Sequence, residues 1–164
     1  MKSISKRCYK KFQITLNVFI IFLFSISISK AELLKPRSDI KPSKVVEIQL
    51  NGLKKNDFNY KDSGIEQTWN FAHPSNKKNT GPLPNFKMMI KGKSYQMLLN
   101  HLSHTITKVG GSDKWAQFEV IILDKDKIYH KFKWQVEKYT ADGPLKDCWL
   151  TTMVSSPIAL GSSI

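Results

Sequence analysis

The stretch WNFAHPSNKKNTGPL, residues 69–83, sets two large aromatics, a histidine before a proline and a Thr-Gly-Pro turn within one short segment. His73 is its reactive group. Imidazole titrates near neutral pH, so His73 is a candidate general base. A histidine at a helix end is equally suited to binding a free backbone carbonyl, and that structural role is the expected one. Glu119 is the one acid inside the apolar run WAQFEVIIL. Turned inward it would be a second candidate base. The alternation of Ala116, Phe118, Val120 and Ile122 instead sends it to the outer side. His101 and His104 form H-x-x-H. On a helix they would share a metal, whereas on a strand residues three apart face opposite ways. No third ligand cluster has zinc spacing and Cys148 stands alone, so neither metal nor cofactor is expected. Trp69, His73, Tyr95, Phe132, Trp134 and Trp149 are candidate walls for a small apolar ligand, although aromatic side chains commonly build core instead. The chain has no P-loop, G-x-G-x-x-G, H-E-x-x-H or G-x-S-x-G.

The elements that must position these residues change period part-way along. Ser43 is expected to cap a helix running to about Lys55, with Val46, Leu50 and Leu53 on one buried face. Asn56-Asp57 stops it. DSGIE opens a second helix through an S-x-x-E capping box of Ser63 and Glu66. Ile65, Trp69 and Ala72 share its face, and Pro74 ends it. A loop over 75–82 leads to a third helix over about 84–91, carrying Phe86, Met89 and Ile90 inward and closed by Gly92. Beyond Tyr95 the period is two. WAQFEVIIL (115–123) and IYHKFKWQVEKY (128–139) read as strands joined by a DKDK turn, with His130, Phe132, Trp134 and Val136 on one side. CWLTTMV (148–154) is another strand, and a fourth lies within 95–109. Helices followed by a mostly antiparallel sheet make an α+β domain, with the helices as the only cover for the sheet's apolar face.

The chain of 164 residues carries 26 Lys plus Arg against 13 Asp plus Glu. Residues 1–31 join a basic, acid-free stretch to an apolar run and end in Ser29-Lys30-Ala31. That is the pattern of a secretory signal peptide cleaved after Ala31. The alternative is a membrane anchor formed by residues 14–30, a run short of the roughly 20 residues that span a bilayer. The expected location is outside the cytosol. Six of the basic residues and none of the acidic ones lie in 1–31, which leaves 20 against 13, a net of +7. Residues 32–42 read as a linker, 43–157 as a single domain and 158–164 as a tail. Cys148 is the only cysteine after residue 31, so no internal disulfide forms there. Lys77, Lys78, Lys87, Lys91 and Lys93 gather around the third helix. They would suit an anionic membrane surface or an acidic protein, with a solvated face as the plainer reading. Nucleic acid is not expected for an exported chain. The oligomeric state is open, a homodimer included.

Five segments carry a resemblance: VVEIQLNGLKKND, D-x-GIE, W-x-FAHP-x-N-x-x-x-TGPL, F-x-x-M followed by Y-x-x-LLNH, and DCWLT. In this order they resemble domain-of-unknown-function family 4864, met in photosynthetic microbes and plastid-bearing lineages. The resemblance covers most of residues 45–154. The chain departs from it at Thr152 and Met153, where the family has an acidic residue. The resemblance implies a cone-shaped fold similar to the nuclear-transport-factor-2-like, or SnoaL-like, superfamily, with N-terminal helices inside a curved sheet. The signal pattern and the +7 charge give the periplasm, or a thylakoid lumen where the source has one, as the expected compartment. The resemblance carries over no catalytic residue. The expected function is a non-catalytic module binding a small ligand or a partner. The alternative is a small isomerase, dehydratase or hydrolase with its site in the cone.

Overall fold

The structure, a computed structural model, describes residues 32–162. The expectations for residues 1–31 lie outside them. Four helices, α1 (Pro42–Lys54), α2 (Ser63–Asn70), α3 (Pro74–Thr80) and α4 (Leu83–Lys91), are followed by a 3-10 turn at Gln96–Leu98. Five strands complete the described residues: β1 (Ser103–Gly111), β2 (Trp115–Leu123), β3 (Ile128–Lys138), β4 (Trp149–Val154) and β5 (Ile158–Ser162). Among the described residues no helix is long and apolar enough to cross a membrane.

Helix α1 begins one residue before the expected cap. Lys41 is the N-cap, without a side-chain bond, and Pro42 occupies the first turn. Proline is preset for that place because its missing N–H would have been unsatisfied anyway. The apolar stripe behaves as read: Val46, Leu50 and Leu53 are fully buried.

The capping box does not form. Asn56 serves the start of α2 instead: its carbonyl accepts from Gly64 N at 2.8 Å and its Oδ1 from Ile65 N at 3.1 Å. Ser63 Oγ donates to the Asn56 carbonyl. Glu66 turns away to Tyr60 and Lys87. This arrangement brings α2 against α1 backbone to backbone. A Cβ on Gly64 would lie 2.0 Å from the Gly52 carbonyl oxygen, so only glycine permits the crossing.

Pro74 starts a helix rather than merely ending one. Helix α2 stops at Asn70, and the segment expected as a loop over 75–82 is mostly α3, with Pro74 in its first turn and His73 as its N-cap. Helix α3 buries none of its side chains, so it has no apolar period to read. Helix α4 buries Phe86 and Ile90, with Met89 partly buried, and Gly92 closes it.

The sheet runs β1-β2-β3-β4, antiparallel throughout. Strand β4 pairs with the second half of β3, and β5 pairs antiparallel with the first half. Residues 158–162, expected as tail, are thus an edge strand. All five are exposed, so no in-out alternation marks them. The inner face carries Ala116, Phe118, Val120, Ile122, Phe132, Trp134 and Val136, all buried in one cluster with the helices. The segment read as a linker is also fastened. Leu34 N donates to Gln67 Oε1 at 2.8 Å, and Gln67 Nε2 donates back to the Leu34 carbonyl at 2.9 Å.

Gly64→Ala is expected to destabilise the chain by about 3 kcal/mol, the upper end of overpacking costs, because its new methyl meets backbone rather than a movable side chain. Urea unfolding checks this. A loss under about 0.5 kcal/mol would show that the two helices do not meet as described.

Candidate functional site

Between the helices and the inner face of the sheet lies a cavity of about 90 Å³. Its walls are largely apolar, with Leu53, Phe86, Met89, Ile90 and Leu98 from the helical side and Val154 from β4. Its polar side is built around Gln49, which is 1% exposed. Gln49 stands on the buried face of α1 beside Val46 and Leu50. Its Oε1 accepts from Thr151 Oγ1 at 2.6 Å and from the Trp134 indole N–H at 3.1 Å. Indole N–H is a donor only, so the oxygen of the carboxamide must face Trp134 and the nitrogen must face away. That nitrogen meets the Thr68 carbonyl at 3.0 Å. Thr68 Oγ1 in turn donates to the Gly64 carbonyl at 2.9 Å. One side chain therefore ties α1 to α2, β3 and β4.

The mouth is set by the stretch 69–83. Thr151 N donates to the Phe71 carbonyl and His73 N to the Thr151 carbonyl, both at 2.8 Å. These bonds hold residues 71–73 parallel to β4 through an Ala72–Thr151 bridge. Asn76 Nδ2 reaches the Thr151 carbonyl at 3.3 Å, and Thr80 Oγ1 donates to the Asn76 carbonyl at 2.9 Å. Tyr95 closes the far side, its hydroxyl on the Val154 carbonyl at 3.3 Å.

Of the candidates read from the sequence, Tyr95 and Trp134 line this cavity. Phe132 and Trp149 belong to the core cluster without lining it, and Trp69 stacks tilted on Phe86 at 5.0 Å beneath the Lys77 ammonium. His73 lies outside the lining. Its Nδ1 accepts from Ser75 N at 3.1 Å and meets Ser75 Oγ at 2.6 Å, and its ring stands edge-on to Tyr139. The expected bond to a carbonyl is thus replaced by a bond from an amide, because His73 precedes a helix rather than following one. Burial lowers the His73 pKa against the pull of Glu137. Glu119 faces outward, 3.4 Å from Lys131, so it is not an inward base.

Much of the basic cluster is matched from within. Lys87 Nζ lies 2.6 Å from Glu66 and Lys91 Nζ 2.7 Å from Asp62. Lys77 sits over Trp69, where burial lowers its pKa. Lys78 and Lys93 are exposed. The bond to Lys91 is the main cause holding Asp62 below the usual carboxylate range. The bond to Glu66 pushes Tyr60 up to about 12.

The H-x-x-H histidines meet, contrary to the opposite-faces expectation, because His101 precedes β1 rather than lying in it. His101 Nε2 and His104 Nδ1 are 2.7 Å apart, and His101 Nδ1 is 2.7 Å from the Leu98 carbonyl. That carbonyl only accepts, so His101 carries its proton on Nδ1 and its Nε2 accepts from His104 Nδ1–H. A proton arriving at His104 Nε2 leaves this chain intact, whereas one on His101 Nε2 breaks it. Burial is the main cause lowering the His101 pKa to about 4, and it lowers that of His104 as well. A separate buried pair joins His130 Nε2 to Asp124 Oδ2 at 2.7 Å. Among the described residues no three His, Cys, Asp or Glu side chains converge as a metal site would require.

Comparison of the chain with family models, curated proteins and solved structures finds no match.

The residues that sequence reasoning missed are Gln49, Thr68 and Thr151. Their one signal is a polar side chain standing where an apolar stripe should continue.

His101 fixes a pH dependence. Its folded pKa of about 4 lies below the unfolded 6.5, so between those values the unfolded chain binds a proton that the folded chain refuses. Its contribution is fully present above pH 6.5 and is lost as pH falls toward 4, by up to about 3 kcal/mol. His101→Gln keeps a donor for Leu98 without titrating. Unfolding measured across this window should show a shallower pH slope for the variant, and equal slopes would contradict the assignment.

Proposed function

We propose that this chain is a non-catalytic binding module that holds a small, mainly apolar ligand in the cavity between its helices and its sheet. The observation that carries the reading is the cavity itself, apolar on its walls and lined on one side by the buried Gln49–Trp134–Thr151 cluster. Preformed concave sites with a few placed polar groups are the usual form of small-ligand sites. An isomerase, dehydratase or hydrolase would need titratable groups aimed together at one substrate atom. The two candidates for that work, His73 and Glu119, cap a helix and pair with a lysine on the outer face.

The module belongs, in this reading, to the cone-shaped nuclear-transport-factor-2-like fold. Irregular pairing at Lys108–Gly110, Gln135–Val136 and Tyr129–His130 supports a bent sheet, since bulges bend the strands that carry them. Export, to a periplasm or thylakoid lumen, rests on the sequence of residues 1–31.

Occupancy of the cavity is tested with xenon under pressure, which enters apolar cavities. The methyl NMR signals of Leu53, Ile90 and Leu98 should shift while that of the distant Leu160 stays. Ala72→Leu, which fills part of the lining, should abolish the shifts. Unmoved methyls in the wild-type chain at every pressure would contradict the reading.

A further inference from the structure

The cavity also specifies the chemistry of what it binds, an inference that rests on the binding reading above. We infer that its ligand is a neutral molecule of about four or five heavy atoms, with an apolar body and one head that both accepts and donates a hydrogen bond, as a hydroxyl or carboxamide does. Donors and acceptors around Gln49 do not balance within the protein. Gln49 Oε1 already accepts two hydrogen bonds, from Thr151 and Trp134, which fills both lone pairs. Gln49 Nε2 has two hydrogens and one protein acceptor, the Thr68 carbonyl. Its second N–H therefore has a donor role to fill, on a side chain that is 1% exposed and lines the cavity. Thr68 Oγ1 spends its only hydrogen on the Gly64 carbonyl, and Thr151 Oγ1 spends its own on Gln49. Both threonines line the cavity. Thr151 Oγ1 also accepts from the Trp134 indole N–H at 3.3 Å, so it keeps one lone pair for a ligand and Thr68 Oγ1 keeps two. One donor and two acceptors thus stand together, and a head that accepts from Gln49 and donates to Thr68 or Thr151 satisfies them.

Charge is disfavoured on both sides. The lining holds no Asp, Glu, Lys, Arg or His. A carboxylate would meet two acceptor hydroxyls, and an ammonium would meet an N–H donor, each without a counter-ion in a low-dielectric site. A bare hydrocarbon would leave the Gln49 N–H without an acceptor in a water-poor pocket. Size follows from the volume. About 90 Å³ exceeds the roughly 30 Å³ share of one water and falls short of the roughly 150 Å³ cavity that takes benzene.

The test uses four probes of one shape: isobutanol, its hydrocarbon isostere isopentane, isobutyrate and isobutylammonium. Each is titrated into the full chain at neutral pH and followed by the methyl signals of Leu53 and Leu98 and the indole N–H of Trp134. Isobutanol should bind at least about tenfold more tightly than isopentane, with neither ion moving these signals. Gln49→Met should reduce the preference for isobutanol over isopentane to about threefold or less while isopentane still binds. If that variant does not fold, Thr68→Val gives the same reading from the acceptor side. Isopentane binding as well as isobutanol, or either ion binding best, would overturn this ligand class and leave the binding module standing. Silence from all four probes would overturn both.

Discussion

The carboxamide of Gln49, buried between α1 and the sheet, holds the helical layer over β3 and β4. A buried amide is costly unless it is partnered, and its partners here come from three different elements. The indole N–H of Trp134 can only donate, which fixes the rotation of the amide. The rotated amide then faces the carbonyl of Thr68, and Thr151 completes the set. Helix α1 therefore sits over β3 and β4 in one register, at a height set by hydrogen-bond lengths. Apolar packing alone would let the helical layer slide or sink onto the sheet, and the space between them would close.

The stretch 69–83 serves the same end from the rim. Trp69 packs on Phe86 and joins α2 to α4. Residues 71–73 bond along β4, which turns the chain over the cavity mouth. His73 and Pro74 launch α3, with the imidazole doing the work of a capping side chain. Asn76 reaches back to Thr151, the same residue whose hydroxyl belongs to the Gln49 cluster. Gly81 then takes φ +77°, a backbone region that other residues avoid, and α4 follows it, packed on α2 through Phe86 and Trp69. The unusual density of special residues in this segment is explained by placement: it builds one rim of a cavity and fixes it to the strand beneath.

Where burial is periodic, the sequence is transparent. Strands β2 and β3 alternate without interruption, and the stripe Val46, Leu50, Leu53 defines α1, so both were legible from residue types alone. Helix α3 was not, because SNKKNT has no fully buried side chain and its helicity comes from the His73–Pro74 start. Strand β5 was not, because an exposed edge imposes no alternation. The capping box was a real local option, but Asn56 offers α2 two acceptors from outside and displaces it. The cavity was legible only through its aromatics, of which Tyr95 and Trp134 take part. Its polar side was hidden because Gln49, Thr68 and Thr151 form no motif: they lie 19 and 102 positions apart from Gln49 along the chain and meet only after folding.

Gln49 and Thr151 act as one unit across the helix–sheet boundary. A double-mutant cycle of Gln49→Met and Thr151→Val, read by urea unfolding, measures that unit directly. The expected coupling is about 1–3 kcal/mol, as for residues sharing a buried hydrogen-bond network. Losses that simply add, to within about 0.5 kcal/mol, would mean that the helical layer is held over the sheet by packing alone.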